Sequence, residues 1–170
     1  MVSTPERFKS DLISMLPRLR RFAMTLTRSA ADADDLVQDA CATALLKWSY
    51  YDPTQPLDRW VFRILRNQWI SETRKRKVRV GQGQIPADES HELVAREDSD
   101  TTLMAQQVVA HVSTLPAELS EPLMLVCSEG YSYREVADLL EMPIGTVMSR
   151  IHRARKELSA LLSPAEGATP

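Results

Sequence analysis

The stretch from Ser132 to Leu158, SYREVADLLEMPIGTVMSRIHRARKEL, restricts the possible folds of this chain more than any other. Ser132 followed by Glu135 is a capping box, in which each side chain satisfies the other's orphan backbone N–H at a helix start. Val136, Leu139 and Leu140 then keep helical spacing. The turn around Met142-Pro143-Ile144-Gly145 interrupts the pattern, and Val147, Ile151, Ala154 and Leu158 resume it as a single apolar stripe. Two short amphipathic helices joined by a tight turn form a helix-turn-helix. The second helix leaves Thr146, Ser149, Arg150, Arg153 and Lys156 facing outward. Short and fork-ended polar side chains of this kind suit a DNA major groove about 12 Å wide. On periodicity alone, a surface helix with arginines for solubility fits equally well.

The rest of the chain also reads as helix. Phe8, Leu12, Leu16, Leu19, Phe22 and Leu26 predict a first helix from about Phe8 to Leu26. A second starts in SAADADDLVQDACATALLKW, where Ser29 or Asp32 can cap it and the early acids suit the positive end of its dipole. Its apolar side is Leu36, Ala40, Ala44 and Trp48. The prolines of SYYDPTQPLDRW break it. A third helix follows from about Leu57 to Lys77, with Leu57, Val61, Ile64, Leu65 and Gln68 on its inner face. Helical patterning returns from Thr101 to Thr114, and another helix is expected with Ser120 as N-cap and Pro122 in its first turn. No stretch carries a strand signal. The expected fold is all-α, with two small helical domains: residues 1–78, a linker over 79–100, and residues 101–162.

With 170 residues, the chain is long enough for two such domains, each near the lower limit for an unaided core. Its net charge of -2 conceals segregation. Asp32, Asp34, Asp35 and Asp39 form one acidic block, Arg74 to Lys77 with Arg79 a basic one, and Asp88 to Asp100 a second acidic one. Cys41 and Cys127 lie far apart with no CxxC partner, so they read as buried structural thiols. No metal site, cofactor loop or nucleophile with its base is signalled, and catalysis is not expected. The chain has no apolar signal core and no run near the ~18 residues of a membrane span, so no membrane insertion and a cytoplasmic location are expected.

The end of the third helix, RNQWISETRKRK, interleaves Trp69 with Arg66, Asn67, Arg74 and Lys75. That composition suits phosphate contacts and stacking on exposed bases, although Trp69 fits a core position as well. At this point the chain resembles a bacterial extracytoplasmic-function (group IV) RNA polymerase sigma factor of the sigma-70 family. ADADDLVQDACATALLKW resembles that family's region 2.2, LDRWVFRILRNQWISETRKRK its regions 2.3 and 2.4, and YSYREVADLLEMPIGTVMSRIHRARKEL its region 4.2.

The resemblance implies a sigma-2 domain, a linker and a sigma-4 domain that direct initiation at -35/-10 promoters of a stress or envelope regulon. By the same resemblance, Asp35, Leu36, Gln38 and Asp39 would dock on the beta-prime clamp helices of core RNA polymerase, and the sigma-4 domain would meet the beta flap. The loop Ser49 to Leu57 and Arg66, Asn67, Trp69, Arg74 and Lys75 would engage the melted -10 element. Thr146, Ser149, Arg150, Arg153 and Lys156 would read the -35 element, and an anti-sigma factor is the implied regulatory partner. Met148 stands where the family often has lysine, and Cys127 where arginine is common. Two other readings are a sigma mimic that sequesters an anti-sigma factor and a stand-alone helix-turn-helix regulator. Intact Arg150 and Arg153 argue against the first. The second leaves DDLVQD and RNQWISETRKRK without a role.

Overall fold

The computed structural model describes residues 4–83 and 103–163. Among these the chain forms seven α-helices and no strand, and its contacts divide it into unit 1 (Met1–Glu92) and unit 2 (Leu93–Pro170).

Unit 1 holds α1 (Pro5–Thr27), α2 (Ala30–Leu46), a single 3-10 turn (Trp48–Tyr50) and α3 (Leu57–Gly81). Thr4 caps α1 by accepting from the Arg7 N–H, and Pro5 occupies the first turn, where its missing donor costs nothing. The buried stripe of α1 is Phe8, Leu12, Met15, Leu19, Phe22, Ala23 and Leu26. Met15 takes the place expected for Leu16, which is 38% exposed. At about 100° per residue, position 16 falls some 80° from the axis of that stripe and position 15 only about 20°. Both positions fit a step of three or four, so only the angle, not the step, separates them.

Ser29, rather than Asp32, caps α2, accepting from the Asp32 N–H at 3.3 Å. Its core face is Ala33, Leu36, Val37, Ala40 and Ala44, whereas Trp48 is 37% exposed because the helix ends before it. α3 buries Val61, Phe62 and Leu65. Phe62 meets Phe22 edge-on at 5.2 Å and lies beneath the Arg18 guanidinium at 5.6 Å. Gln68 faces inward as expected, donating to Thr43 Oγ1 at 2.7 Å and to the Asp39 carbonyl at 3.2 Å.

α3 runs to Gly81, so residues 78–81 of the expected domain boundary and linker are the end of a helix. The remainder of the linker, with its acidic run Asp88 to Asp100, lies outside the described residues.

Unit 2 holds α4 (Leu103–Thr114), α5 (Ala117–Cys127), α6 (Tyr133–Leu140) and α7 (Ile144–Leu162). The start expected for α4, at Thr101, also lies outside the described residues. α5 begins at Ala117, three residues before the expected cap. Ser120 is instead an interior residue, 1% exposed, with its hydroxyl turned back toward the Ala117 carbonyl. Pro122 sits inside the helix at a cost the surrounding packing overrides, since Leu119, Ser120, Glu121, Pro122 and Leu123 are all buried. Cys127, the last residue of α5, is exposed and Cys41 half-buried, which corrects the expectation of two buried thiols.

The capping box at α6 forms as expected: Ser132 N–H donates to Glu135 Oε2 at 2.7 Å and Glu135 N–H to Ser132 Oγ at 3.2 Å. Glu141 adopts the left-handed conformation (φ 53°) and ends α6, with the Met142 N–H on the Ala137 carbonyl at 3.0 Å. α7 then packs against α5, α6 and α4 through Val147, Ile151 and Ala154, each at most 1% exposed. Fully burying a side chain such as Ile151 stabilises by about 1.5–3 kcal/mol. Among the described residues, no helix is long and apolar enough to cross a membrane.

Candidate polymerase and nucleic-acid interfaces

Three surfaces collect the residues singled out from the sequence. The first is the outer side of α2. Leu36 is only 7% exposed and belongs to the core, which leaves Asp35, Gln38 and Asp39 as the exposed residues of the predicted docking set. The acidic block therefore divides into paired and unpaired carboxylates. Asp34 accepts from Arg20 Nε at 2.7 Å, and Asp32 pairs with Arg76 at 3.6 Å, so these two tie α2 to α1 and α3. Asp35 and Asp39 make no ion pair among the described residues, although arginines flank the same helix. Internal pairing at this exposure contributes about 0–1 kcal/mol, and the unpaired acids contribute to no packing at all. Their charge is available to a basic partner.

The second surface is α3 with the loop before it. The expected set does not lie on one face. Asn67 and Trp69 point about 200° apart around the helix, Asn67 exposed and Trp69 half-buried. Asn67 and Arg74, seven residues apart, share the exposed side, while Arg66 and Trp69 share another. Lys75 pairs with Glu72 at 3.5 Å, whereas Arg74 has no ion pair among the described residues. Trp60 is half-buried against Tyr51 (5.4 Å) and Phe8 (6.1 Å), a packing position.

Sequence reasoning did not find Tyr51. Its hydroxyl donates to the Gln55 carbonyl at 2.6 Å across the loop. Partial burial, with the carboxylates of Asp52, Asp11 and Asp58 nearby, pushes the Tyr51 hydroxyl above its ordinary value and keeps it a donor. Asp52 accepts from both the N–H and the hydroxyl of Thr54, at 2.9 and 2.7 Å, and these bonds hold its carboxyl below the usual range. The D-x-T spacing was the available signal for this turn.

The third surface is the solvent side of α7. Ser149, Arg153 and Lys156 are exposed opposite the Val147-Ile151-Ala154 stripe, and Thr146 and Arg150 flank it, partly exposed. Arg150, Arg153 and Lys156 make no hydrogen bond or ion pair among the described residues. Ser149 bonds only back to the Thr146 carbonyl, at 3.0 Å. Gly145, in the first turn, needs no unusual backbone angle, and a Cβ there would meet only open space. On a different side of α7, Arg155 lies beside Cys127 and Tyr133, which hold the guanidinium more firmly in its charged form.

Comparison with known proteins agrees with this layout. The Sigma-70 region 2 family matches residues 12–79, and the Sigma-70, region 4 family matches residues 105–158. The chain is 36% identical over 159 residues to the ECF RNA polymerase sigma factor EcfG of Rhodopseudomonas palustris, covering 92% of this chain and 86% of that protein. Among solved structures it resembles the sigma factor RpoE in complex with the anti-sigma factor NepR from Bartonella quintana. The TM-score is 0.78 at 33% identity, over 91% of this chain and 96% of that one. It also resembles CnrH in complex with the cytosolic domain of CnrY, with a TM-score of 0.65 at 26% identity, over 94% and 89%. A three-helix unit followed by a capped helix-turn-helix with a free cationic face, matched in that order by sigma regions 2 and 4, leaves one assignment: the chain belongs to the extracytoplasmic-function RNA polymerase sigma factors, which give the polymerase its promoter specificity.

Proposed function

We propose that the three surfaces divide the work of initiation. Asp35, Gln38 and Asp39 on α2 hold the basic side of the core polymerase clamp. The 51–56 loop and α3, through Asn67, Arg74, Arg66 and Trp69, take the non-template strand of the -10 element. Thr146, Ser149, Arg150, Arg153 and Lys156 on α7 enter the major groove at -35. The observation that carries this reading is the α7 face: three cations without intramolecular partners, on a helix whose opposite face is sealed into the core.

Sigma factors as a class are not enzymes, and the mechanism needs no bond chemistry. Neutralising phosphates releases counterions and supplies sequence-independent attraction. Fork-ended guanidinium groups at Arg150 and Arg153 add base discrimination in the groove. Melting requires unstacking, at a few kcal/mol per base, and stacking on an aromatic side chain returns about 1 to 3 kcal/mol per base. A surface that binds flipped bases thus shifts the duplex toward the open state. The solved complexes of RpoE with NepR and CnrH with CnrY support a similar anti-sigma partner for this chain, acting in the cytoplasm where the polymerase works.

The test is run-off transcription with sigma-free core polymerase on fragmented host DNA, with start sites mapped. Discrete starts sharing -35 and -10 sequences are expected from the wild type and are lost in the Arg150→Ala, Arg153→Ala double variant. Equal initiation by that variant would remove α7 from promoter reading.

A further inference from the structure

Residues 51–56 have no helical ladder, yet their conformation is closed on itself. Tyr51 Oη donates to the Gln55 carbonyl at 2.6 Å, and Asp52 Oδ1 accepts from Thr54 N–H at 2.9 Å and Thr54 Oγ1 at 2.7 Å. The Gln55 N–H donates to the Asp52 carbonyl at 3.0 Å. Pro53 and Pro56 restrict two further backbone angles.

The bracket that carries this loop is aromatic. The Tyr51 ring lies 5.9 Å from Phe8, at the start of α1, and 5.4 Å from Trp60, at the start of α3. Phe8 is itself 1% exposed, so the anchor is core. The neighbouring Tyr50 is 83% exposed. Of two adjacent tyrosines, one is fixed inward and the other presents its ring to solvent.

We propose that Tyr51 is the positioning residue of the -10 reader: its ring, set between Phe8 and Trp60, and its hydroxyl, bound to Gln55, fix loop 51–56 before DNA arrives. Ordering a free loop on binding costs conformational entropy at every residue it fixes, and a loop already ordered escapes that cost. The proposal rests on the reading of this loop as a -10 contact.

The experiment uses the full chain bound to core polymerase and a random pool of 12-nucleotide single-stranded DNA, with retained sequences determined. Tyr51→Phe keeps the ring contacts and deletes the bond to Gln55, and Asp52→Ala deletes the two side-chain bonds to Thr54. Both are expected to weaken capture by about 2- to 10-fold, the range one net hydrogen bond supplies, and to flatten base preference. Core affinity and the thermal midpoint of the protein stay at wild-type values. Gln55→Ala and Tyr50→Ala, on exposed side chains, report whether the loop reads bases at all.

Altered preference in those two variants with wild-type capture by Tyr51→Phe and Asp52→Ala would overturn the positioning role and leave the loop as reader. A lowered midpoint in Tyr51→Phe with unchanged preference would reduce Tyr51 to a fold residue and overturn it as well. Unchanged preference in all four variants would remove the loop from -10 reading, and the proposal with it.

Discussion

The α7 face and the 51–56 loop present side chains in opposite ways. On α7 the cations Arg150, Arg153 and Lys156 have no intramolecular partner among the described residues, while in the loop Tyr51, Asp52 and Thr54 are bonded to one another or to the backbone. The difference follows from the backbone. A helix is held by its own hydrogen bonds and by the buried Val147-Ile151-Ala154 stripe, so its outer side chains need no further restraint. A six-residue connection has no such ladder, and its shape must come from side chains. A rigid helix can leave its reading groups free, whereas a loop must use some of its side chains as staples.

The largest expected effect separates the two supports. Ile151→Ala is expected to destabilise unit 2 by about 2–5 kcal/mol, since Ile151 is 1% exposed. All three tryptophans, Trp48, Trp60 and Trp69, lie in unit 1. Thermal melting followed by circular dichroism should therefore lose early helicity while tryptophan fluorescence keeps its wild-type transition. A matching shift in both signals would mean that the two supports do not fail separately.

Arg153→Ala sharpens the contrast at the level of reading. It is expected to lose about 1–3 kcal/mol of discrimination at the -35 element in competition binding among promoter variants. Uniform weakening on every sequence would make it a phosphate contact. The Asp35→Ala, Gln38→Ala pair should cost about 1–2 kcal/mol of core polymerase affinity in titration, as expected for losing exposed polar contacts.

Gly145→Ala should raise the stability of unit 2 by about 0.5–1 kcal/mol, because the glycine is helical and its missing Cβ would meet nothing. Weaker DNA binding in the same variant would mean that DNA approaches the α7 backbone there, a constraint the free protein does not impose. The smallest effect concerns Asp52. Its folded-state pKa lies below the ordinary value, so its bonds to Thr54 stabilise the loop fully above the ordinary carboxylate range and lose that contribution as pH falls through the lowered value. The loop amide signals of Thr54 and Gln55 in NMR should hold constant down to that acid range. A change near neutral pH would point to another group.

Much of the molecule was legible from local rules. The capping box at Ser132 and Glu135, the inward Gln68 and the Val147, Ile151 and Ala154 part of the α7 stripe formed where spacing placed them, whereas α2 ends at Leu46, ahead of the prolines expected to break it. The errors have two causes: a step of three or four is coarser than an angle, and a one-dimensional pattern does not record what stands opposite. Met15 and Leu16 both satisfy the step, but Met15 lies nearer the stripe axis and is buried while Leu16 is 38% exposed. Ser120 and Pro122 are an acceptable helix start by propensity, but the core takes both into the interior of a helix begun at Ala117. Leu36, which spacing places on the apolar side of α2 and the resemblance among the docking residues, is 7% exposed and lies in the core.

The sequence alone determined the all-α class, the two helical units, the helix-turn-helix and the basic outer face of its second helix, because each follows from periodicity, caps and breakers within a few residues. Only the tertiary structure separated the paired acids Asp32 and Asp34 from the available Asp35 and Asp39, and joined Tyr51 to Phe8 and Trp60. Those decisions depend on contacts between residues far apart in the chain, where burial and charge pairing are set by the neighbour across the core.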